Sequence, residues 1–337
     1  MIAVKTCGKL YWAGEYAILE PGQLALIKAI PIYMTAKIKA SNNYRLYSDM
    51  FSYSVDLRPD SSYTLIQETV ALVEEYLTAQ GVELQPFSID IRGKMEREGK
   101  KFGLGSSGSV VVLVIKAMLA LYGLSVDRNL MFKLASSVLL KRGDNGSMGD
   151  IACIVAEDLV VYQSFNRQTV ATWLDEETLE KVLKKDWGFS IRSVEPVLTF
   201  DFLVGWTKEV AVSSHMVKQI KDNMNSSFLQ VSKETVANLA KALEVGQEET
   251  IIDLLEQASL LLEDLSSDIY TPSLRQLKNA SQDLKAVAKS SGAGGGDCGI
   301  ALSFDQDSTT LLKKRWADLG IELLYQERMG YDDKSEG

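Results

Sequence analysis

A run of nearly bare backbone constrains this chain more than any other feature. Residues 290–304 read SSGAGGGDCGIALSF, with four glycines among the five positions 292–296. Such a run is a flexible linker, a set of tight turns, or a loop whose N–H groups approach a ligand closely. Upstream, Thr271 and Pro272 are typical of a helix start, and the apolar spacing predicts a helix over 272–290; downstream, the pattern predicts a strand over 299–304. A loop that joins a helix to a strand within one folded unit favours the ligand-binding interpretation.

The composition is that of a globular chain with a substantial core. Its 337 residues are 46% hydrophobic, and this length is typical of about two domains. The formal net charge of -9 argues against broad binding to nucleic acid or to an anionic membrane. The N-terminus lacks the apolar core of a signal peptide, and the apolar run 110–122 is interrupted by Lys116. We therefore expect no export, no membrane insertion and a cytoplasmic location.

The cysteine and histidine content argues against several chemistries. Cys7, Cys153 and Cys298 lie far apart in the sequence without a CxxC spacing, and His215 is the single histidine. A structural zinc site and a disulfide framework are therefore not expected. An enzyme of the Ser-His-Asp or Cys-His type would have to use His215.

The apolar pattern predicts an α+β chain with a division at about residue 190. The first part, 1–190, has strand-like runs up to about residue 60, a helix over 63–79, a strand over 87–91 and helices over 107–122 and 128–140. The second part, 191–337, has a strand over 198–204, helices over 213–224, 233–243, 248–265 and 309–319, and a last strand over 321–326. Helices packed on small sheets define the α+β class.

A second glycine-rich stretch leads straight into a predicted helix. It comprises Gly103, Leu104, Gly105, Ser106, Ser107, Gly108 and Ser109. Free N–H groups and the positive end of the helix dipole coincide at such a start, which makes it a candidate phosphate site. The alternative is a tight turn with serine caps. The chain contains neither a Walker A motif nor a GxGxxG after a first βαβ strand, which argues against P-loop and Rossmann nucleotide sites.

Two isolated charged residues complete the candidate site. Asp150 ends the stretch KRGDNGSMGD, where the glycines would bring its carboxylate close to a ligand, although the residue is equally suited to cap the helix that follows. Lys9 lies in GKLYWAGEYAIL, and the alternative for an isolated lysine is a solvated surface position.

Taken together, these stretches resemble the kinase superfamily named after galactokinase, homoserine kinase, mevalonate kinase and phosphomevalonate kinase (GHMP kinases). The motifs GKLYWAGEYAIL, GLGSSGS and SGAGGGDCGIAL, at 8–19, 103–109 and 291–302, occur in the family's order across nearly the whole chain. Within the superfamily they are most similar to the phosphomevalonate kinases, which transfer the γ-phosphoryl group of ATP to 5-phosphomevalonate. The resemblance implies an N-terminal domain like ribosomal protein S5 domain 2, a ferredoxin-like C-terminal domain, and an active site between them.

The resemblance also implies roles for individual residues. Lys9 and Asp150 would be catalytic, residues 103–109 would bind ATP, and Ser107 would contact Mg²⁺. The acceptor would be held by a set made up of Tyr16, Lys101, Arg142, Ser147, Ser213, Gly292, Ala293 and Gly294. Asp150 would act as a base toward an alcohol acceptor, and as an orienting group toward a phosphate acceptor, which is already ionised.

Two departures from the family pattern qualify these expectations. Gly108 stands where the second motif often has alanine, and the stretch SSVLLKRGDN offers no glutamate to hold magnesium as mevalonate kinases do. We therefore expect Mg²⁺ to be held by ATP phosphates, water and a serine hydroxyl. Mevalonate kinase and homoserine kinase remain alternative activities on the same scaffold, and a noncatalytic nucleotide sensor is the alternative of a different class.

Overall fold

The first sheet is organised by two long antiparallel strands. A computed structural model of the chain describes residues 1–211, 220 and 223–330. In it, β1 (Ile2–Ala13) pairs with β2 (Leu24–Ala40) from Ile2 opposite Ile38 to Ala13 opposite Leu26. A 3₁₀ turn at Ala17–Leu19 lies in the connection between them. The last eight residues of β1 are all buried, so this strand is covered on both faces.

The other edge of β2 carries two further strands, one at each end. The sheet order is β4-β3-β5-β2-β8-β9, and only β3 and β5 are parallel. The bounds are β3 Arg45–Ser48, β4 Ser54–Val55, β5 Phe87–Arg92, β8 Leu159–Gln163 and β9 Ser190–Ser193. A separate small hairpin is formed by β6 (Glu96–Arg97) and β7 (Lys100–Lys101).

The first sheet is covered by helices around a largely buried central one. The bounds are α1 Thr64–Ala79, α2 Ser106–Leu121, α3 Arg128–Lys141, α4 Gly149–Ala156, α5 Arg167–Glu176 and α6 Leu179–Lys184. The α2 sequence SSGSVVVLVIKAMLAL is apolar on nearly all sides after its first turn, as expected of a helix enclosed by others. It packs on β1 and β2, so its N-terminus lies beside the middle of β1.

The second sheet has a ferredoxin-like strand order. It runs β11 (Ala286–Ser290), β12 (Cys298–Ser303), β10 (Phe200–Trp206) and β13 (Glu322–Met329), with all neighbours antiparallel. The described helices of this half are α7 Ser226–Val245, α8 Glu248–Leu265, α9 Pro272–Asn279 and α10 Gln306–Asp318. Numbered within this unit, the strand order is 4-1-3-2, so the ferredoxin-like expectation is confirmed.

The structure corrects the prediction of one helix over 272–290. Helix α9 begins as expected, with the Thr271 hydroxyl accepting from Leu274 N–H at 3.3 Å and Pro272 in first position, but it ends at Asn279. Residues 286–290 form β11, because their backbone pairs with β12 in a hairpin and all five are buried in the sheet. The glycine run therefore joins two antiparallel strands. The helix predicted over 213–224 lies mostly outside the described residues.

The pairing of β9 and β10 indicates where the boundary between the two domains lies. Strand β9, at Ser190–Ser193, pairs with β8 of the first sheet, whereas β10, at Phe200–Trp206, opens the second sheet. We therefore propose that the division falls after β9, a few residues beyond the predicted residue 190. No helix among the described residues is long and apolar enough to cross a membrane.

The two sheets meet through aromatic side chains. Trp12 on β1 is completely buried, and its ring centroid lies 5.1 Å from that of Phe202 and 6.2 Å from that of Phe200, both on β10. Such contacts combine a large buried apolar area with favourable ring geometry. The face of β1 that carries Trp12 is therefore held against the second sheet.

Replacing Trp12 with alanine should lower the free energy of unfolding by about 3–5 kcal/mol, because the large cavity left between the sheets cannot fully collapse. Urea titration at 25 °C measures the change. Tyr33→Ala, at an aromatic residue that is 40% exposed, is the matched control and should cost less than about 1 kcal/mol. Equal losses in the two variants would contradict this account of the interface.

Candidate active site

A cleft of about 260 Å³ opens where β1, the N-termini of α2 and α4, and the glycine run meet. Its wall includes Lys9, Tyr11, Glu15, Tyr16, Gly105, Ser147, Asp150, Gly292 and Ala293. Residues from all three sequence motifs therefore share one concave surface, although they are up to 284 positions apart in the chain (from 9 to 293).

The N-terminus of α2 presents backbone donors to this cleft. Gly105 precedes the helix in a left-handed conformation with φ of 79°, and Ser109 N–H is the first to find a carbonyl, that of Gly105, at 3.1 Å. The N–H groups of Ser106, Ser107 and Gly108 come before that first bond, as is usual at helix starts. Ser107 is exposed and Ser106 half-buried, so both hydroxyls are accessible.

Two residues of the same motif serve the core instead. The Ser109 hydroxyl donates to the Cys7 carbonyl at 2.8 Å and is fully buried, and the Leu104 side chain packs beside Gly8. Ser109, which was predicted to bind ATP, therefore uses its hydroxyl within the core. Leu104 and Ser109 fix the loop to β1, and Lys9 N–H donates to the Leu104 carbonyl at 3.0 Å.

The glycines of the loop make room for charged side chains of the protein itself. A Cβ at Gly105 would lie 2.8 Å from Lys9 Cε, and a Cβ at Gly108 would lie 2.8 Å from Asp150 Oδ2. The departure from alanine at position 108 thus has a physical reason: the Asp150 carboxylate rests against the first turn of α2. There the positive end of the helix dipole favours a negative charge.

Asp150 occupies the first turn of α4. The helix begins at Gly149 after Met148, which has a left-handed φ of 65°, so Asp150 is not its N-cap and that alternative is wrong. One carboxylate oxygen accepts from Ile151 N–H at 2.9 Å. Burial raises the pKa of Asp150, while the ammonium of Lys9 opposes the rise. Part of the carboxylate's stability therefore depends on Lys9.

Lys9 is buried on β1, with 9% of its surface exposed, so the solvated-surface alternative is wrong. Its ammonium nitrogen lies 5.2 Å from the centre of the Tyr11 ring. No ion pair within 4.0 Å holds that ammonium in the described part of the chain. The charge is directed into the cleft and available to an anion.

The opposite wall is built from hydroxyl and backbone groups. Tyr16 donates to the Ala293 carbonyl at 2.5 Å, and the Ser291 hydroxyl donates to the Tyr11 carbonyl at 2.8 Å. Ser147 shares a hydrogen bond of 3.1 Å with the Tyr11 hydroxyl. Burial raises the pKa of both tyrosines, which therefore remain protonated donors.

Three of the predicted acceptor residues, all within the described part of the chain, do not line the cleft. Arg142 pairs with Glu68 of α1, because it follows the end of α3 on the outer surface, and Lys101 is exposed on the β6–β7 hairpin. Gly294 is buried against Ile269 and serves packing. Ser213 lies outside the described residues.

Sequence reasoning missed Tyr11, Glu15 and Asp297. Asp297 ends the glycine run with a left-handed φ of 55°, its Oδ1 accepts from Ala211 N–H at 3.3 Å, and a Cβ at Gly103 would lie 2.6 Å from its Oδ2. Burial raises the pKa of Asp297. The available signal was a lone carboxylate between glycines and a buried strand.

Known proteins share this architecture. Residues 64–157 match the GHMP kinases N terminal domain and residues 239–322 match the GHMP kinases C terminal domain. The fold and the cleft therefore define a GHMP kinase, as the three motifs predicted. A mevalonate kinase of Methanococcus jannaschii, 19% identical with a TM-score of 0.73 over 98% of each chain, shares the fold.

Two closer relatives narrow the assignment. A Streptococcus pneumoniae phosphomevalonate kinase, solved in complex with phosphomevalonate and AMPPNP, is 74% identical, with a TM-score of 0.97 over 98% of this chain and 100% of that one. A phosphomevalonate kinase of Streptomyces sp. (strain CL190) is 28% identical over 93% of each chain. The chain belongs to the phosphomevalonate kinase family.

Replacing Asp150 with asparagine should raise the melting temperature at pH 7, because the variant no longer buries a charge. The folded pKa of Asp150 lies above its ordinary value of 3.8, so the folded state holds this proton more tightly, and stability falls as pH rises through the interval between the two values. Below that interval the gain should vanish, since the wild-type carboxyl is protonated in both states. Calorimetry at pH 7 and at low pH measures both effects. A gain that is the same at both pH values would contradict burial of the charge as its cause.

Proposed function

We propose that this protein transfers the γ-phosphoryl group of ATP to 5-phosphomevalonate, forming 5-diphosphomevalonate and ADP. The observation that carries the proposal is the 74% identity, over 98% of the chain, to a protein solved with phosphomevalonate and an ATP analogue. The cleft supports it, because the N–H groups at a helix start, a buried ammonium and a carboxylate converge there as phosphoryl transfer requires.

The N-terminus of α2 is the proposed ATP end of the cleft. Its free N–H groups and the accessible hydroxyls of Ser106 and Ser107 suit phosphate oxygens. The same hydroxyls and the Asp150 carboxylate are oxygen ligands of the kind that Mg²⁺ accepts, and the described residues contain no group of three or more His, Cys, Asp or Glu side chains that could hold a metal ion. Ser107 is the proposed protein ligand, with ATP phosphates and water supplying the rest. When bound, Mg²⁺ neutralises phosphate charge.

Lys9 is proposed to stabilise the charge that develops during transfer. The bond between the γ-phosphorus and the β–γ bridging oxygen breaks, its electron pair stays with ADP, and a phosphate oxygen of the acceptor forms the new bond. An ammonium that is already buried in the cleft wall requires little reorganisation at that moment.

Asp150 is proposed to orient the site rather than to remove a proton. The second pKa of a phosphomonoester is about 6, so the attacking oxygen is mostly ionised at neutral pH. A carboxylate next to a phosphate dianion is repelled unless cations offset it, and Lys9 is the cation that already opposes the rise in the pKa of Asp150 caused by burial.

The acceptor is proposed to lie along the wall formed by Tyr16, Ser147, Gly292 and Ala293. Lys101, which is exposed on the β6–β7 hairpin, and Ser213, which lies outside the described residues, remain proposed contacts of the acceptor. Arg142 is left out, because its guanidinium pairs with Glu68 on the outer surface. Asp297 and Gly103 are proposed to keep the two glycine loops in contact above the phosphates.

The substrate assignment is tested by a coupled ADP-release assay with phosphomevalonate, mevalonate and homoserine as acceptors. Phosphomevalonate should give a kcat/KM at least about 10²-fold above the other two, because a site built around an acceptor phosphate leaves its polar groups unpaired with an unphosphorylated alcohol. Greater turnover of mevalonate would overturn the assignment. ADP release with none of the three acceptors would indicate the noncatalytic alternative if nucleotide still bound.

Replacing Lys9 with methionine should lower kcat by about 10²-fold or more, since one preorganised donor supplies about 3 kcal/mol of transition-state stabilisation. Lys5→Met removes an exposed ammonium from the same strand and is the matched control, expected to keep kcat within about twofold. Near-normal kcat in folded Lys9→Met would remove Lys9 from the transfer step.

A further inference from the structure

A buried ion pair lies beneath the acceptor wall and joins the two sheets. Lys289 Nζ donates to Glu15 Oε1 at 2.6 Å, and the side chains are 1% and 3% exposed. In the other ion pairs of the described residues, at least one side chain is 11% exposed or more. Glu15 follows β1, whereas Lys289 lies in β11, so the pair connects the first sheet to the second.

The surroundings of Lys289 make this pairing selective. Along β11, side chains alternate between the two faces of the sheet, so Lys289 shares its face with Val287. That face contributes Val287, Ile300 and Leu302 to the same apolar core as Trp12. An ammonium in such an interface is costly unless a carboxylate meets it, so one relative alignment of the sheets is strongly preferred.

The pair is continuous with the acceptor wall on both sides. Glu15 lines the cleft and is followed directly by Tyr16, whose left-handed φ of 63° carries its hydroxyl to the Ala293 carbonyl. Lys289 also donates to the Ser290 carbonyl at 2.6 Å, and Ser290 N–H donates to the Tyr270 hydroxyl at 3.2 Å. Ser290, which leads into the glycine run, is thereby hydrogen-bonded through both its carbonyl and its N–H group.

We propose that Glu15 and Lys289 are a positioning pair, which sets the alignment of residues 290–294 across the acceptor end of the cleft. Neither residue transfers a proton or contacts the γ-phosphoryl group in this assignment; they act through Tyr16 and Ala293. The proposal rests on the proposed function for its kinetic consequence, and on the fold alone for its effect on the loop.

Three variants separate positioning from simple stabilisation. Glu15→Gln keeps the size of the side chain and an acceptor oxygen but leaves the Lys289 ammonium without a counter-charge. Lys289→Met removes the ammonium and keeps most of the side-chain volume. The double variant is neutral at both positions, so it avoids the uncompensated buried charge that makes the loss of one partner of a buried pair costly. Glu327→Gln is the matched control, since Glu327 pairs with Lys28 at 3.2 Å between the same two sheets but does not line the cleft.

Each variant is measured for melting temperature, for hydrogen exchange of peptides covering 286–304, and for the KM of both substrates at a temperature where it is folded. We expect Glu15→Gln to melt lower, to exchange faster in the loop, and to raise the KM for phosphomevalonate about tenfold or more, while the KM for ATP changes less than about threefold. In the double variant the melting temperature should recover, whereas fast exchange and the raised acceptor KM should persist. The control should match the wild type in exchange and in both KM values.

Recovery of loop exchange and acceptor KM together with melting temperature in the double variant would overturn the proposal, because the pair would then serve stability alone. Unchanged loop exchange in both the single and the double variant would overturn it as well, as would an equal rise in the KM for ATP. Absence of wild-type turnover with phosphomevalonate would refute the proposed function instead, and the exchange measurements would then decide the positioning role by themselves.

Discussion

Burial of the last eight residues of β1 on both faces is the constraint on which the rest of this molecule depends. One face meets α2, and the other carries Trp12 against the second sheet. A strand enclosed in this way cannot shift by one residue without turning apolar side chains toward polar groups. Core packing therefore determines the position of Lys9 and of Glu15 and Tyr16, which follow the strand.

The site holds several charged side chains in buried or half-buried positions, and these charges are compensated in different ways. Asp150 is offset by Lys9 and by the start of α2, while Glu15 and Lys289 compensate each other. Among the charged groups of the site, the Lys9 ammonium has no carboxylate within 4.0 Å in the described part of the chain, and an uncompensated positive charge suits a site whose substrates are polyanions. Charges held in this manner reduce stability in the free protein and favour ligand binding.

The glycines of the two glycine-rich stretches have two separate roles. At Gly105 and Gly108 it admits Lys9 and Asp150 to the first turn of α2, so the glycines are required by the protein's own side chains as well as by a ligand. In the run 292–296, Gly294 packs on Ile269, whereas Gly292 and Ala293 face the cleft. Part of the run therefore packs in the interior of the protein, and part of it forms a wall of the site.

Much of the fold and the three motifs could be predicted from local sequence, because helix periodicity, caps and glycine-serine starts are local properties. The helix at 248–265 has the predicted bounds, and the Thr271-Pro272 start is confirmed. Lys9 and Asp150, for which the family resemblance implied catalytic roles, lie in the wall of the same cleft. Tertiary structure decided the features that depend on partners distant in the chain. Residues 286–290 form a strand because they pair with β12. Arg142 forms an ion pair with Glu68, and the Ser109 hydroxyl donates to the Cys7 carbonyl. Glu15 and Lys289 are separated by 274 positions, and nothing in the sequence around either residue identifies the other as its partner. Only the folded structure brings the two charges together, because each side chain is buried in an apolar interface where an opposite charge is needed to compensate it.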